Sequence, residues 1–326
     1  MNALQDLSIS TNQKVRETVV VLGAAGFVGR HVARELSCRG IAVIGIGHGS
    51  WTVEEAQEWG VGTWVEDDIG LPALERMALA EPPQAVIHCG GSSVVAYSYQ
   101  RPLDDFLRST HSTAATLEWI RLNGNGQCRL VLVSSAAVYG DHGDTDATES
   151  STPAPISPYG FHKASAESLC ESYSRFFDTP VSIVRLFSVY GEGLRKQLLW
   201  DAMCKFRDGR QEFFGTGDEL RDWIHVDDAA RLLCAAAMTP QSRLEIYNGG
   251  HNQATTREVL TQLAQAAATV IAPQFNGELH KGNPRRLTAD CGHTHRLLGW
   301  TPQIPLAQGL HRYAEWFRGS ASANGS

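Results

Sequence analysis

The sequence predicts an α/β protein in which a doubly wound, Rossmann-type parallel sheet precedes a smaller C-terminal substrate-binding domain. Two observations support this fold class. Short β-branched runs alternate with longer helical patterns from residue 18 onward, and a glycine-rich loop joins the first run to the first helical pattern. A parallel sheet with helices on both faces requires this alternation.

The elements follow in order along the chain. The β-branched runs predict strands near 18–23, 41–46, 62–66, 84–89, 128–134 and 181–187. The helical patterns predict helices near 26–39, 71–80, 103–123, 158–177, 197–208, 227–238 and 305–318. Thr255 and Glu258 have capping-box spacing and predict one further helix.

This order of elements predicts a division into domains. We expect a dinucleotide-binding domain over 17–187, to which 222–250 returns. A substrate-binding region would then cover 188–221 and 251–318. We expect flexible termini at 1–16 and 319–326, where the chain is small and polar.

Composition excludes several classes of protein. The 326 residues are 43% hydrophobic with a net charge of −7 and no basic stripe, so nucleic acid and anionic membranes are not expected partners. The seven cysteines are scattered without a C-x-x-C pair, which predicts neither disulfides nor a metal site and favours a reducing cytoplasm. The polar N-terminus and the absence of a long apolar run predict neither secretion nor a membrane span.

The loop LGAAGFVGR connects the first strand to the first helix and places glycines at 23, 26 and 29. Such a loop gives a tight turn, lets backbone N–H groups approach a pyrophosphate and packs helix against strand. An ordinary strand-to-helix turn is the alternative, but the position at the start of the alternating pattern favours a dinucleotide.

The second strand ends without the acidic residue that usually binds the adenosine ribose. Gly47 occupies that position, followed by His48 and Ser50, which could hydrogen-bond a 2′-phosphate. This favours NADP, with NAD in a loosely held ribose site as the alternative. Asp68, beyond the third strand, could accept a hydrogen bond from adenine or could be a solvated strand-end acid.

The stretch SPYGFHK predicts a catalytic pair at the start of a helix. Ser157 and Pro158 suit the N-cap and first helical positions, so Tyr159 and Lys163 share one face. A nearby ammonium and an oxidised nicotinamide would both favour the phenolate, which makes Tyr159 a usable acid or base. Alone, this spacing is common on helix surfaces.

Two serines end the strand that precedes this helix. A hydroxyl from Ser134 or Ser135 could orient the substrate oxygen on which Tyr159 acts. In the alternative interpretation, both serines only satisfy backbone groups at the strand end.

These motifs together resemble the extended short-chain dehydrogenases/reductases, in particular the NAD(P)-dependent nucleotide-sugar epimerase/dehydratase family. The resemblance spans most of the chain. It rests on GAAGFVG, DDI, VIHCGG, VSSAAVYG, SPYGFHK, VRLFSVYG, RDWIHVDD and LLGWTP, in the family's order.

The resemblance implies roles for individual residues. The implied catalytic residues are Ser135, Tyr159 and Lys163. The implied cofactor contacts add Phe27, Val28, Asp68, Ile69, Cys89, Gly90, Gly91, Tyr159, Lys163 and Phe187 to the glycines and to Gly47, His48 and Ser50. The implied substrate contacts are Ser93, Ser135, Ser188, Arg195 and Arg221, of which Arg221 would hold a nucleotide diphosphate.

The sequence also departs from the family pattern. Ala136 and Ala137 replace the acidic pair of the 4,6-dehydratases, which disfavours water elimination. Ser93, Ser109 and Ser188 replace larger polar residues. A second diphosphate arginine is missing near His280, and the possible substitutes are Arg195, Lys196, Arg285 and Arg286.

The resemblance implies a nucleoside-diphosphate sugar as substrate and three functional alternatives. A 4-epimerase would remove hydride and return it through a 4-keto sugar, whereas an NADPH-dependent 4-ketoreductase would use the same three catalytic residues. A non-catalytic dinucleotide sensor is the third alternative. The resemblance also implies a homodimer packed through the helices near 103–123 and 158–177.

Overall fold

The computed structural model describes residues 17–49, 51–240, 243–278, 282 and 284–323. The strands are β1 Thr18–Leu22, β2 Ala42–Gly47, β3 Thr63–Glu66, β4 Ala85–His88, β5 Arg129–Ser135, β6 Val181–Leu186, β7 Ser188–Tyr190, β8 Glu212–Phe213, β9 Leu220–His225, β10 Leu244–Gly249, β11 Asn252–Thr255, β12 Gln274–Phe275 and β13 Arg286–Leu287.

Twelve α-helices are defined in the same part of the chain. They are α1 Phe27–Cys38, α2 Val53–Glu58, α3 Leu71–Arg76, α4 Val95–Gln100, α5 Pro102–Phe106, α6 Ser112–Asn123, α7 Pro158–Phe177, α8 Gln197–Arg207, α9 Val226–Met238, α10 Thr256–Ala266, α11 Gly292–Leu298 and α12 Leu306–Ala323. A π-helical turn at Leu107–His111 joins α5 to α6, and a short 3-10 turn follows β5 at Ala136–Val138.

The main sheet has seven parallel strands in the order β10-β6-β5-β4-β1-β2-β3. This confirms the predicted doubly wound α/β class. In register, Val19 of β1 lies between Val43 of β2 and Ala85 of β4. The chain order reverses at β1, so a crevice opens beyond the carboxyl ends of β1 and β4, where such sheets bind ligands.

Alternating strand residues build a core on each face of this sheet. Val19 and Val21 of β1 pack with α1 and α9, whereas Val20 and Leu22 pack with α6 and α7. All four side chains are completely buried. Burial on both faces explains why these strands are continuous apolar runs rather than alternating ones.

A second, four-stranded sheet lies later in the chain. Its central strand β9 pairs with β11 antiparallel and with β7 and β13 in parallel. Leu199 of α8, Leu263 of α10 and Leu310 of α12 belong to the separate core that packs in this part of the molecule. After β9 the chain returns to the main sheet, where α9 packs on α1 and β10 pairs with β6.

Several helix boundaries differ from the predicted ones. The helix predicted over 103–123 is interrupted by the π-helical turn, and α2 was not predicted. α12 continues through Ala323 because no proline interrupts it, so residues 319–323 are helical rather than an unpacked tail. The termini predicted at 1–16 and 324–326 lie outside the described residues. No described helix is long and apolar enough to cross a bilayer.

Candidate active site

The glycine loop between β1 and α1 is tightly packed against the end of β4. Gly23 has φ +77°, and a Cβ there would lie 2.8 Å from the backbone nitrogen of Gly90. A Cβ on Gly29 would overlap the carbonyl oxygen of Gly23. No side chain caps the first turn of α1, which begins after Gly26. The loop is therefore a side-chain-free cradle with N–H groups available to a diphosphate.

Phe27 and Val28 follow in the first turn of α1, and both line the large cleft beside this loop. Cys89 and Gly91, at the end of β4, line the same cleft. Burial raises the pKa of the Cys89 thiol to about 12, so this side chain stays protonated and apolar. The loop and the end of β4 thus form one wall of the cleft.

The predicted adenine side lies at the ends of β2 and β3. Gly47 ends β2, and a Cβ there would lie 3.1 Å from the Cα of Gly23. His48 Nε2 lies 2.5 Å from Asp68 Oδ1, and both side chains are exposed. The Asp68 carboxylate, which follows β3, therefore lies beside the end of β2, where the usual acidic residue is missing.

Two further residues of this region have clear placements. Ile69 Cδ1 packs so closely on Gly90 that a Cβ on the glycine would overlap it. Ser50, which was predicted to contact a 2′-phosphate, lies outside the described residues.

The predicted catalytic pair lies at the start of α7. The Ser157 hydroxyl accepts a hydrogen bond from the Gly160 N–H at 3.2 Å and caps the helix. The Tyr159 N–H donates to Ser98 Oγ at 3.0 Å, which fixes the first turn. Lys163 Nζ donates to the Val133 carbonyl oxygen at 3.0 Å. The side chains of Tyr159 and Lys163 are both more than nine-tenths buried.

The structure separates the two serines at the end of β5. Ser135 lines the cleft together with Tyr159, and its Oγ accepts a hydrogen bond from the Ala137 N–H at 3.2 Å. Ser134 instead donates to Glu167 Oε1 at 2.5 Å, and Glu167 forms a buried ion pair with Arg185. Ser135 is therefore the serine placed for chemistry, and Ser134 belongs to a structural network.

Burial dominates the ionisation of the pair in the protein alone. It raises the pKa of Tyr159 to about 12, although the Ser135 side chain acts in the opposite direction. Burial lowers the pKa of Lys163 to about 8, and its ammonium lies 6.0 Å from the tyrosine ring centroid. The phenol is therefore protonated at neutral pH without cofactor, and the expectation that Lys163 and an oxidised nicotinamide together favour the phenolate stays a prediction.

The cleft has a volume of about 610 Å³. The predicted site residues that line it are Gly26, Phe27, Val28, Cys89, Gly91, Ser93, Ser135, Tyr159, Phe187, Ser188 and Arg221. The predicted residues outside its lining are Gly23, Gly29, Gly47, His48, Asp68, Ile69, Gly90, Lys163 and Arg195. Most of these residues lie behind the lining residues at the same edge of the main sheet, but Arg195 does not.

Arg195 stacks against two tryptophans instead of facing the cleft. Its guanidinium lies 5.9 Å from the Trp200 ring centroid and 5.5 Å from that of Trp316. The prediction that Arg195 contacts the substrate is therefore not supported by its placement. Because Trp316 is distant in the sequence, the sequence pattern could not predict this cation–π contact.

Two other cations do line the cleft. Arg221 donates to the carbonyl oxygens of Leu220 at 2.8 Å and Pro284 at 2.6 Å. Burial lowers the pKa of Arg221 to about 10. Lys196 Nζ donates to Ser93 Oγ at 2.6 Å, and Gln197 Nε2 donates to the Ser93 carbonyl oxygen at 2.8 Å. Of the four candidate substitutes for the missing arginine, Lys196 is the one that lines the cleft.

Sequence reasoning missed two contacts near this site. One is the attachment of Gln197 to Ser93, and the other is a buried pair formed by Asp105 and His162, whose Oδ2 and Nδ1 atoms lie 2.5 Å apart. His162 directly precedes Lys163 in the sequence, so its position could have predicted that it lies near the site. Asp105 is brought there only by the packing of α5 on α7.

Comparison with known proteins is consistent with this geometry. Residues 19–250 match the model of the NAD dependent epimerase/dehydratase family. The chain belongs to this family and is an enzyme of the extended short-chain dehydrogenase/reductase type.

Three relatives illustrate the range of the family. A UDP-glucose 4-epimerase of Azospirillum brasilense is 30% identical over 323 residues, covering 92% of each chain. The solved UDP-glucose 4-epimerase of Thermotoga maritima, with UDP-glucose, is 26% identical, has a TM-score of 0.84 and covers 93% of this chain and 99% of its own.

The third relative is a dehydratase. A double mutant of the dTDP-glucose 4,6-dehydratase of Streptomyces venezuelae, solved with NAD, is 27% identical, has a TM-score of 0.84 and covers 94% of this chain and 98% of its own. The cofactor in that structure is NAD, and the sequence-based preference for NADP is not supported.

Proposed function

We propose that the protein is an NAD-dependent nucleotide-sugar 4-epimerase. The observation that carries this proposal is the placement of Ser135 and Tyr159 in the lining of one cleft beside buried Lys163, with Ala136 and Ala137 next in the chain and in the same lining. Among the described residues that line the cleft, Glu219 is the one carboxylate, and its oxygens accept hydrogen bonds from Thr216 and Gly217. No carboxylate is thus available for the elimination that a dehydratase performs.

The chain's own residues have the following roles in this proposal. Tyr159 exchanges a proton with the reacting sugar hydroxyl, and Ser135 holds that hydroxyl toward the phenol. Lys163 would hold the cofactor ribose and contributes positive charge beside the phenol. When bound, the dinucleotide accepts and returns hydride at the sugar carbon. Its positive oxidised form would lower the raised pKa of Tyr159 at the moment when a base is needed.

The residues present fit a dinucleotide. Cβ atoms on Gly23 and Gly29 would fill the cradle. Gly26, Phe27 and Val28, at the start of α1, line the cleft. We propose NAD rather than NADP because Asp68, although paired with His48, is exposed and would repel a 2′-phosphate.

We further propose that Arg221 and Lys196 bind the diphosphate of the substrate. Both line the cleft, and Arg221 approaches it from the second sheet. This assignment places dinucleotide binding in 17–187 with 222–250, and substrate binding in 188–221 with 251–318. Among the described residues, the Lys196 ammonium donates to the uncharged Ser93 hydroxyl and not to a carboxylate, so its charge is available to an anionic ligand.

A homodimer is proposed from the exposed apolar residues on the helices near 103–123 and 158–177. Phe106 of α5 and Phe161 of α7 are 39% and 59% exposed, and Leu103 and Leu107 are also exposed. Isolated apolar residues are ordinary on a surface, but a patch of this kind favours association. We also propose a cytoplasmic location, since all seven cysteines are free.

A 4-ketoreductase is the second candidate, and one observation favours it. The protonated Tyr159 phenol is the acid that a reductase needs at the carbonyl oxygen. The sensor alternative is no longer required, because the chain belongs to an enzyme family.

The test of the proposal is an epimerisation assay without added cofactor. UDP-glucose and UDP-glucuronate would each be incubated with the purified protein and the 4-epimers separated by chromatography. An epimerase converts a substrate sugar into its own 4-epimer, with no net change in NADH absorbance. Failure on every UDP- and dTDP-sugar, together with NADPH-dependent reduction of a 4-keto sugar, would favour the reductase.

A further inference from the structure

Two hydrogen bonds connect the opposite walls of the cleft. Ser93 lies in the loop that follows β4 of the main sheet, whereas Lys196 and Gln197 lie at the start of α8. Lys196 Nζ donates to Ser93 Oγ at 2.6 Å, and Gln197 Nε2 donates to the Ser93 carbonyl oxygen at 2.8 Å. All three residues line the cleft. This cross-cleft contact therefore joins the dinucleotide side of the site to the substrate side.

The backbone of Gln197 indicates that the contact is held against a conformational cost. Gln197 has φ +65°, in the left-handed region that residues other than glycine seldom occupy. Such a conformation persists only where surrounding contacts hold it, and it is concentrated at functional sites. The hydrogen bond from the Gln197 side chain to Ser93 is a contact of this kind.

The segment that carries Lys196 is anchored on both sides. Leu194 and Leu199 are 3% and 2% exposed and belong to the core around α8, α10 and α12. Between them, Lys196 and Gln197 are exposed but bonded to Ser93. An exposed lysine ordinarily has much rotamer freedom, which it loses when it binds a ligand. At Lys196 the anchored backbone and the Ser93 hydroxyl already restrict that freedom.

The cross-cleft contact lies toward the catalytic end of the cleft. Gly91 precedes Ser93 by two residues, and a Cβ on Gly91 would lie 3.5 Å from Nζ of the catalytic Lys163. An ammonium has three N–H donors, of which the Ser93 hydroxyl accepts one from Lys196. The remaining donors suit a phosphate oxygen, and the phosphate attached to the sugar is the one that lies nearest to the reacting carbon.

We propose that Ser93 and Gln197 are positioning residues that hold Lys196 in place to bind the sugar-linked phosphate of the substrate. Gln197 fastens the start of α8 to the loop after β4, and Ser93 orients the ammonium. Substrate binding then does not have to immobilise the lysine, so less affinity is lost to side-chain ordering. The inference rests on the proposed function, because it takes Lys196 as a ligand of the substrate diphosphate.

The test compares the binding of a nucleoside diphosphate with that of its monophosphate, using isothermal titration into the protein as purified, with any retained dinucleotide in place. The probes are UDP with UMP and dTDP with dTMP, and the pair that wild type binds more tightly is used for every variant. The ratio of the two affinities reports the contact with the second phosphate. Ser93→Ala and Gln197→Met should each lower the diphosphate affinity by about threefold to tenfold and leave the monophosphate affinity within about twofold of wild type.

Three further variants serve as controls. Ser93→Thr keeps the hydroxyl and should restore the wild-type ratio. Ser92→Ala removes a neighbouring hydroxyl that lies outside the cleft lining and should not change the ratio. Gln197→Gly accommodates the left-handed backbone without strain but lacks the amide, so it should reproduce the loss seen in Gln197→Met.

A double-mutant cycle separates positioning from a general structural effect. Lys196→Met should lower the diphosphate affinity by about tenfold to 100-fold, because a charge-assisted hydrogen bond to the phosphate is lost. When Ser93→Ala is added to Lys196→Met, the affinity should fall by less than about twofold further, because no ammonium is left to orient. Additive losses would mean that Ser93 acts independently of Lys196 and would overturn the inference.

The other outcomes are also decisive. Wild-type ratios in Ser93→Ala and Gln197→Gly, or equal losses for diphosphate and monophosphate, would overturn the positioning role while leaving the proposed epimerase function intact. An unchanged ratio in Lys196→Met would remove Lys196 from the diphosphate site and overturn the inference with it. A wild-type protein that binds neither UDP nor dTDP would contradict the proposed function itself.

Discussion

Lys163 Nζ donates a hydrogen bond to the carbonyl oxygen of Val133 at 3.0 Å, where α7 packs on β5. The bond joins a helix and a strand that are neighbours in space, although the two residues are 30 positions apart in the chain. Ser135 ends the same strand, and Tyr159 lies in the first turn of the same helix. Strand and helix thus hold all three proposed catalytic residues from one side of the cleft.

The first prediction concerns proton transfer by Tyr159. Tyr159→Phe removes the hydroxyl without changing the packing of the ring, so kcat should fall by about 10²- to 10⁴-fold while the protein stays folded. Tyr97→Phe is the matched control, because the half-buried Tyr97 lies outside the cleft lining and its hydroxyl donates to Asp104, so the loss of that hydroxyl should leave kcat unchanged. Normal turnover in Tyr159→Phe would assign the proton transfer to another group.

The two serines of β5 should give opposite phenotypes. Ser135→Ala should lower kcat by about 10-fold to 100-fold, since the reacting hydroxyl loses its orienting partner. Ser134→Ala should leave kcat near wild type and lower the free energy of unfolding by about 1 kcal/mol, because Glu167 keeps Arg185 but loses one hydrogen bond. Steady-state kinetics and urea unfolding of both variants decide the assignment. The reverse pattern would contradict it.

Asp68 should discriminate between the two dinucleotides. Its carboxylate lies with His48 at the edge of β2 and β3, where a 2′-phosphate would be close to it. In Asp68→Asn the preference for NADH over NADPH should decrease by about fivefold to tenfold, a modest change because the pair is exposed to water. Isothermal titration of both cofactors into protein from which any retained dinucleotide has been removed measures it, with Asp67→Asn as the neighbouring control. An unchanged ratio would remove Asp68 from the cofactor site.

Glu192 should make the fold sensitive to acid. Burial opposes its ionisation, but hydrogen bonds from His225 at 2.8 Å and Arg312 at 2.7 Å prevail and hold its pKa at about 2. Since the folded pKa lies below the ordinary value of 4.5, the stabilisation is present above that pH and is lost as the pH falls toward 2.

The measurement is urea unfolding across this pH range. Glu192→Gln should lower the free energy of unfolding at neutral pH by on the order of 2 kcal/mol and should flatten the acid dependence. Glu315→Gln, an exposed carboxylate on α12, is the control and should behave as wild type. If the free energy of unfolding of Glu192→Gln fell with decreasing pH as steeply as that of wild type, the hydrogen bonds of Glu192 with His225 and Arg312 would not stabilise the fold.

Local patterns were sufficient for much of the fold. The bounds of α7 and the capping box at Thr255 and Glu258 follow from residues within one helical turn, and the structure confirms both. The glycine loop is equally local, because the packing that requires Gly23 and Gly29 is set by the strand-to-helix turn itself.

Long-range packing decided the remaining features. The stacking of Arg195 on Trp316, the burial of Asp105 against His162 and the π-helical turn around Ser109 depend on neighbours that the linear sequence does not identify. The raised pKa of Tyr159 has the same origin, because sequence gives the charge of Lys163 but not the extent of burial. The ionisation of buried groups therefore could not be predicted from the sequence.

The central claim is that the enzyme is an epimerase that retains its NAD, and one measurement tests it most directly. The purified protein would be denatured and any dinucleotide that it releases identified and quantified by mass spectrometry. We predict close to one NAD per chain, because a 4-epimerase returns hydride to the same sugar and has no need to exchange its cofactor. Release of no dinucleotide from a protein that then binds NADPH more tightly than NADH would contradict the claim and favour the 4-ketoreductase.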